Sequence, residues 1–510
     1  MKNRWLILIL LTVLVQWSCH LPQTTRDTVN FTVLQMNDVY EISPLEGGKS
    51  AGLARVATIL KELEAENPNT ISLLSGDFLS PSLMGMLEDK DGEKIAGRQM
   101  VETLNALGLD YVTFGNHEFD LKSGELLQKR IDQSDFLYVC SNAFRKYENG
   151  DTEPFTQKGN PVPPYVVETF KSASGKEVRV GITGVVLPFN RQPYVHYTSF
   201  EENLASVGKE MASQTDVILA ITHLNIDQDI DMAKKNQDYL VFFGGHDHVN
   251  MRHQIGNTLI TKADANAKTI YIHRFSYNPK TGKTSVRSEL KKIDDTIADE
   301  PETRKVVKEW EGSVEDIIEE MGYKPDEEIL VAKTALVCTE YQIRGEPTNF
   351  GIITAKSFEK AIPGADAYVL NSGSMRLDDN LQGIITEYDI LRVYPYGGPV
   401  SRVHMNGTDL AKVLEIGMVT NKGEGGYFQT WKVDKSAGGK WMVSGKEIEP
   451  SKKYSVIMPQ FLASGKESNL EMLGDMPRDE FEKFEINGVE VINDVRDIVI
   501  AYMKELKVFE

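Results

Sequence analysis

Tyr111-Val112-Thr113-Phe114-Gly115-Asn116-His117-Glu118 joins an apolar run directly to a glycine and three residues whose side chains bind metals or protons. Four other runs behave the same way. Residues 31–36 lead to Asp38, 70–74 to Gly76-Asp77, 216–222 to His223, and 239–243 to Gly245-His246-Asp247-His248. Short β-rich runs that each hand off to a polar residue are the pattern of strands in a buried sheet. In open α/β sheets the C-terminal edge of the strands is where ligands bind. A lone His-x-His is usually surface or core chance; this one follows a strand and has four partners upstream. Two Asp, one Asn and three His on one edge supply the donors of a dinuclear metal site. The chemistry they point to is metal-assisted hydrolysis of a phosphate ester.

At 510 residues the chain is too long for one core, so two domains are expected. A hydrophobic content of 41% and a charged content of 26% are ordinary for a globular protein. The net charge of −19 excludes a nucleic-acid surface, which needs a basic stripe. It does not exclude an anionic substrate, because metal ions would dominate the local field. At the N-terminus Lys2 and Arg4 precede an apolar run over 5–15 that is too short to span a bilayer and fits a secretory signal peptide. Cys19, just past that run, has the place of a lipobox cysteine, although Gln16 stands where an aliphatic residue is usual. Two readings stay open: a lipoprotein, held to a membrane only through Cys19, or a plain signal peptide with an incidental cysteine. Both export the chain across the inner membrane, to the periplasm or the outer-membrane or cell surface. Cys140 and Cys338 remain, too few for a disulfide framework and expected to be buried thiols.

Residues 20–30 read as a tether after a leader of 1–19, and a first domain covers 31–293. Helical patterns over 52–66 and 97–108 lie between its polar hand-offs. The stretch 294–328 is acidic, with Val306, Trp310, Val314, Ile317 and Ile318 on one stripe, and reads as a helical linker. The second domain covers 329–510.

The order and spacing of the hand-offs resemble the calcineurin-like metallophosphoesterases, and among them the secreted 5′-nucleotidase and UDP-sugar hydrolase family. The resemblance implies an α/β protein: an N-terminal metallophosphoesterase β-sandwich flanked by helices, and a smaller C-terminal α/β domain that binds substrate. It assigns one metal to Asp38, position 40, Asp77 and His248. The second takes Asp77 as a bridge, with Asn116, His223 and His246. His117 is not a ligand in the family; it would face the phosphate, with Asp120 fixing its imidazole. Two divalent ions (Zn, Mn, Co or Mg) would hold the hydroxide that attacks phosphorus. One departure is clear: Asn37-Asp38-Val39-Tyr40 puts a tyrosine where the family has a histidine. Tyr40 has three readings: a phenolate ligand, a hydrogen-bond partner of a metal-bound water, or a wall of the pocket. With an ordinary pKa of roughly 10 it ionises readily only onto a trivalent ion, so the first reading goes with one Fe(III).

The resemblance continues beyond residue 340. Arg344-Gly345-Glu346-Pro347-Thr348-Asn349-Phe350-Gly351, Asn371-Ser372-Gly373-Ser374-Met375-Arg376, Tyr394-Pro395-Tyr396-Gly397-Gly398 and Gly425-Gly426-Tyr427-Phe428-Gln429 are similar to its substrate-binding loops. It implies that Arg344, Asn371, Arg376 and Tyr396 meet a phosphorylated small molecule and that Phe428 or Tyr427 supplies a face for a base. Gly398 and Asn469 depart from the family pattern, and Asn469 removes one expected aromatic face. The resulting expectation is hydrolysis of 5′-nucleotides. The alternatives are a general phosphomonoesterase or pyrophosphatase, a cyclic-nucleotide phosphodiesterase, or a non-catalytic nucleotide-binding protein.

Overall fold

A computed structural model describes residues 27–189, 191–486 and 488–510. The leader, Cys19 and most of the tether fall outside the described residues. Among the described residues no helix is long and apolar enough to cross a membrane.

The five hand-off runs are all strands, divided between the two sheets of the β-sandwich that the resemblance implies. In the first, β1 (Val29–Met36), β2 (Thr70–Leu74), β3 (Tyr111–Val112) and β4 (Leu137–Tyr138) run parallel. In the second, β5 (Glu177–Val186), β6 (Val217–His223), β7 (Tyr239–Gly244) and β8 (Thr258–Lys262) run parallel. Antiparallel strands finish both sheets, β9 (Thr269–Asn278) and β10 (Lys283–Lys292) on the first. Strand periodicity assigns the two faces. Val29, Phe31, Val33, Leu219, Ile221, Val241 and Phe243 share the core between the sheets, where Phe31 stacks on Phe170 at 4.7 Å. The alternate residues Leu34, Met36, Ile218, Ala220 and Phe242 belong to the second core, which includes the helices. Burial on both faces is why these strands read as unbroken apolar runs. The alternation starts at Val29, the first residue of β1.

Helices α1 (Leu53–Glu66) and α2 (Arg98–Leu107) fall where the sequence places them, and α2 ends on Gly108 at φ 86°. Helix α3 (Pro301–Glu320) is not a free linker. It buries Val307, Trp310, Val314 and Ile318 in the N-terminal core, and Trp310 Nε1 donates to Glu102 at 3.0 Å. The chain crosses to the second domain after it. There β11 (Glu328–Leu336) pairs in a small sheet, and helix α4 (Asn349–Ala361) precedes a five-stranded one. The larger sheet includes β12 (Ala367–Asn371), β13 (Val400–Asn406), β14 (Phe428–Trp431) and β15 (Lys453–Pro459).

Candidate metal centre

The C-terminal ends of β1, β2, β3, β6 and β7 meet at one point between the two sheets. Asp38 and Asp77 turn there at φ 52° and 58°, and His246 and His248 at φ 83° and 59°. Left-handed backbone is uncommon outside glycine, and Asp, Asn and His are the types enriched in it. Four such residues in one place mark a site where local strain is accepted for geometry. The neighbouring glycines are steric necessities. A Cβ on Gly115 would overlap the Asp77 carboxylate, and one on Gly245 would stand 2.5 Å from Ser75 O and 2.9 Å from His223 Nδ1.

Two groups of donors result, Asp38–Asp77–His248 and Asp77–His223–His246, with Asp77 common to both. All but His246 are nine-tenths or more buried. Asn116 adds its amide oxygen to the second group, 3.1 Å from His223 Nε2 and 3.0 Å from His246 Nδ1. His223 Nε2 stands 3.2 Å from Asp77 Oδ2, and His248 Nε2 stands 3.5 Å from Asp38 Oδ1. Around an ion with bonds of ~2.1 Å, adjacent donors are spaced at roughly 3.0–3.4 Å, so both groups suit a divalent ion. His223 Nδ1 donates to Ser75 O at 2.7 Å, which leaves Nε2 as the ligand atom. Burial opposes charge on Asp77, yet His223 and His117 hold its carboxyl well below the usual range. Burial, with the His223 imidazole beside it, holds the pKa of His246 well below its ordinary value.

Tyr40 joins this cluster. Its hydroxyl lies 3.1 Å from Asp77 Oδ2 and 3.1 Å from His248 Nε2. Burial and the nearby charges of Asp77, Asp38 and Glu340 push its pKa well above the ordinary value. His117 belongs to neither donor group, although its backbone N donates to Asp77 Oδ1 at 2.7 Å. Its Nδ1 donates to Asp120 at 2.7 Å, and Arg376 Nη2 lies 3.2 Å from its Nε2. Burial lowers the pKa of His117, but Asp120 and Asp77 outweigh it and raise the net value.

Three functional groups escaped the sequence reading. Glu118, the last residue of the opening string, is wholly buried and accepts from Gly115 N, Asp77 N, Phe78 N and Leu79 N. It ties the loop after β2 to the loop after β3, and its place within Gly-Asn-His-Glu was the available signal. Lys262 ends β8 and is fully buried; it donates to Gly245 O at 2.8 Å, to Leu224 O at 2.6 Å and to Asp247. A lysine closing an apolar strand was its signal. Gln429 is also wholly buried, and accepts from Thr348 N while donating to Ile343 O and Glu346 O, so it staples the segment that carries Arg344.

A cleft of about 1730 Å³ lies over the donors, walled on the far side by the C-terminal domain. Arg344, Asn371, Arg376 and Tyr396 all line it. Phe428 does not. It is wholly buried in the core of its domain, packed on Gly417 so closely that a Cβ there would overlap the ring. The strand pairing of β14 with β12 turns this side chain inward, so it has no face for a base. The exposed aromatic rings in the cleft are Phe189, Tyr341, Tyr396 and Phe461.

Comparison with known proteins follows the same division. Residues 31–250 match the family described as calcineurin-like phosphoesterase, and residues 329–475 match the 5′-nucleotidase C-terminal domain. A 5′-nucleotidase of Bos taurus is 22% identical over 94% of this chain and 88% of its own. Protein UshA of Yersinia enterocolitica is 24% identical over 86% of each. Endonuclease YhcR of Bacillus subtilis is 25% identical over 94% of this chain, which spans only 41% of that longer protein. The chain likewise spans 29% of the trifunctional nucleotide phosphoesterase YfkN of the same organism. In fold, a 5′-nucleotidase precursor from Thermus thermophilus superposes with a TM-score of 0.73 at 19% identity, over 94% of this chain and 97% of that one.

Proposed function

The chain belongs to the calcineurin-like phosphoesterases that carry a 5′-nucleotidase C-terminal domain, and on that premise we propose that it hydrolyses 5′-nucleotides at a pair of divalent metal ions. The observation that carries this reading is one carboxylate, Asp77, common to two donor groups, beneath a cleft whose opposite wall presents arginines and aromatic rings. Asp38, Asp77 and His248 would hold one ion, and Asp77, Asn116, His223 and His246 the other. Together the ions would supply the Lewis acidity that activates water and offsets phosphoryl charge.

The chain's own residues do the rest. Arg376 and His117 point into the same space from opposite domains, 3.2 Å apart, and an oxyanion placed there receives a donor from each. With both ring nitrogens protonated, His117 Nδ1–H is held by Asp120 and Nε2–H is the proton handed to the departing oxygen. Tyr40 stays a neutral phenol that hydrogen-bonds Asp77. Arg344 and Asn371 line the distal cleft, and Tyr396, half exposed, offers a ring to the base.

The cleft is larger than the ~300–1,000 Å³ usual for a small ligand, which favours a bulkier substrate, such as a nucleoside diphosphate sugar, as the second reading. Product release from AMP, UMP, UDP-glucose, p-nitrophenyl phosphate and bis-p-nitrophenyl phosphate, with Mn²⁺, Co²⁺ or Zn²⁺ supplied in turn, decides between them: phosphate from the monoesters, UMP and glucose 1-phosphate from UDP-glucose, and p-nitrophenol from the diester. Preference for AMP or UMP supports the nucleotidase. Equal rates on p-nitrophenyl phosphate reduce the enzyme to a general phosphatase, and no release with any metal rejects catalysis. Export and a lipid at Cys19 complete the proposal; incorporation of a labelled fatty acid that is lost in Cys19→Ala tests the anchor.

A further inference from the structure

The segment Met375-Arg376-Leu377-Asp378 enters the metal centre from the C-terminal domain. Met375 is extended, at φ −98° and ψ 111°, while Asp378 turns at φ 49°. Met375 and Leu377, each 2% exposed, go into the core of their own domain. Arg376 and Asp378 take the opposite side and land on the N-terminal domain. Arg376 meets His117. Asp378 Oδ2 stands 2.8 Å from His248 Nδ1, the ring nitrogen opposite the one that faces Asp38 and Tyr40.

This carboxylate is itself held. Its other oxygen accepts from Glu340 N at 2.7 Å, and its backbone carbonyl accepts from Lys268 of the N-terminal domain. Glu340 Oε2 lies 3.8 Å from the same His248 nitrogen, while its other oxygen takes Arg344 at 2.8 Å. A histidine that donates one N–H to a carboxylate presents its second nitrogen as a better and better-oriented ligand. For His223 the corresponding acceptor is Ser75 O, within its own domain. For His248 it comes from the other domain.

We propose that Asp378 is a positioning residue of the first metal site, so that this site is fully formed only when the C-terminal domain is docked. The inference rests on His248 being a metal ligand, as in the proposed function. It also bears on the tyrosine at position 40. A site with one protein ligand fewer depends more on the orientation of those that remain, and Asp378 supplies that from across the cleft. Because coupling is reciprocal, an ion in the first site strengthens the domain contact, and an ion in the second does not.

Mn²⁺ binding to the metal-stripped full-length chain tests this by calorimetry, with no substrate present. The wild type is expected to bind two ions. Asp378→Ala should weaken one of them about 10–100-fold and leave the other unchanged. Asp378→Asn, which keeps both the shape and an oxygen acceptor, should fall between and guards against a folding defect. Lys268→Met, which removes a tie between the domains without touching the acceptor, should weaken the same ion by a smaller factor. If His248→Ala loses one ion while Asp378→Ala keeps both at wild-type affinity, the inference is wrong and the two-metal reading stands. If Asp378→Ala weakens both ions equally, its role is general stability and the inference again fails. If His248→Ala keeps both ions, the ligand assignment itself falls.

Discussion

The two donor groups are built differently although they share Asp77. Asp77, Asn116, His223 and His246 come from the N-terminal domain alone, and their supports, Ser75 O and Glu118, lie in it too. Asp38 and His248 have Tyr40 beside them where a histidine would complete the set, and His248 leans on Asp378 across the cleft. One site is finished by the fold of a sandwich, the other by the meeting of two domains. A prebuilt site holds its ion whatever the domains do, whereas an assembled one can be sensitive to substrate.

The sharpest way to break this comparison is at the shared residue. Asp77→Ala is expected to remove both ions and to lower phosphate release by at least about a thousandfold. His223→Ala should remove only the second ion. Metal content by mass spectrometry separates the two, and retention of either ion in Asp77→Ala would falsify the shared carboxylate. Next comes the group that belongs to neither site. His117→Ala should reduce turnover about 10²–10⁴-fold with metal content unchanged. Loss of an ion there would make His117 a ligand.

The sequence pointed to the N-terminal donor groups because their residues closely follow strands. Asp38, Gly76-Asp77, Asn116, His223 and His246 lie within a few residues of an apolar run, so local pattern suffices. That these strands form two sheets followed from the family resemblance and not from local pattern, since a strand buried on both faces reads the same in either arrangement. Asp378 was out of reach for another reason. It acts on a ring 130 residues away through domain docking, which leaves no local periodicity. Phe428 misled because a glycine-rich string suggests a loop, whereas ladder pairing with β12 fixes the side chain inward.

That last point has its own measurement. Phe428→Ala should cost about 3–5 kcal/mol of stability, seen as a lower thermal midpoint. In the protein that stays folded, the Michaelis constants for AMP and p-nitrophenyl phosphate should move together. Tyr396→Ala should do the reverse, leaving the midpoint in place and raising the AMP constant roughly 5–100-fold, from ~1–3 kcal/mol of stacking. A selective AMP defect in Phe428→Ala would return that ring to the cleft.

The smallest effect is expected at Tyr40, where the two donor groups differ most. Its hydroxyl contacts Asp77 Oδ2 and His248 Nε2, so it stands at the first site. Burial and the charges of Asp77, Asp38 and Glu340 all favour the neutral phenol. A neutral phenol leaves a divalent pair its net positive charge, while a phenolate would cancel part of it. Tyr40→Phe should therefore weaken Mn²⁺ binding at one site only several-fold, the equivalent of a hydrogen bond worth about 1 kcal/mol. Tyr40→His, which supplies a donor nitrogen in the same place, should tighten that site and leave the other alone. It should also make the first site less dependent on Asp378, so the combined Tyr40→His and Asp378→Ala variant should lose less affinity than Asp378→Ala alone. An iron-loaded wild type should show no tyrosinate-to-iron band in the visible. A band that disappears in Tyr40→Phe would make Tyr40 a ligand, complete the first site within the N-terminal domain, and erase the difference between the two.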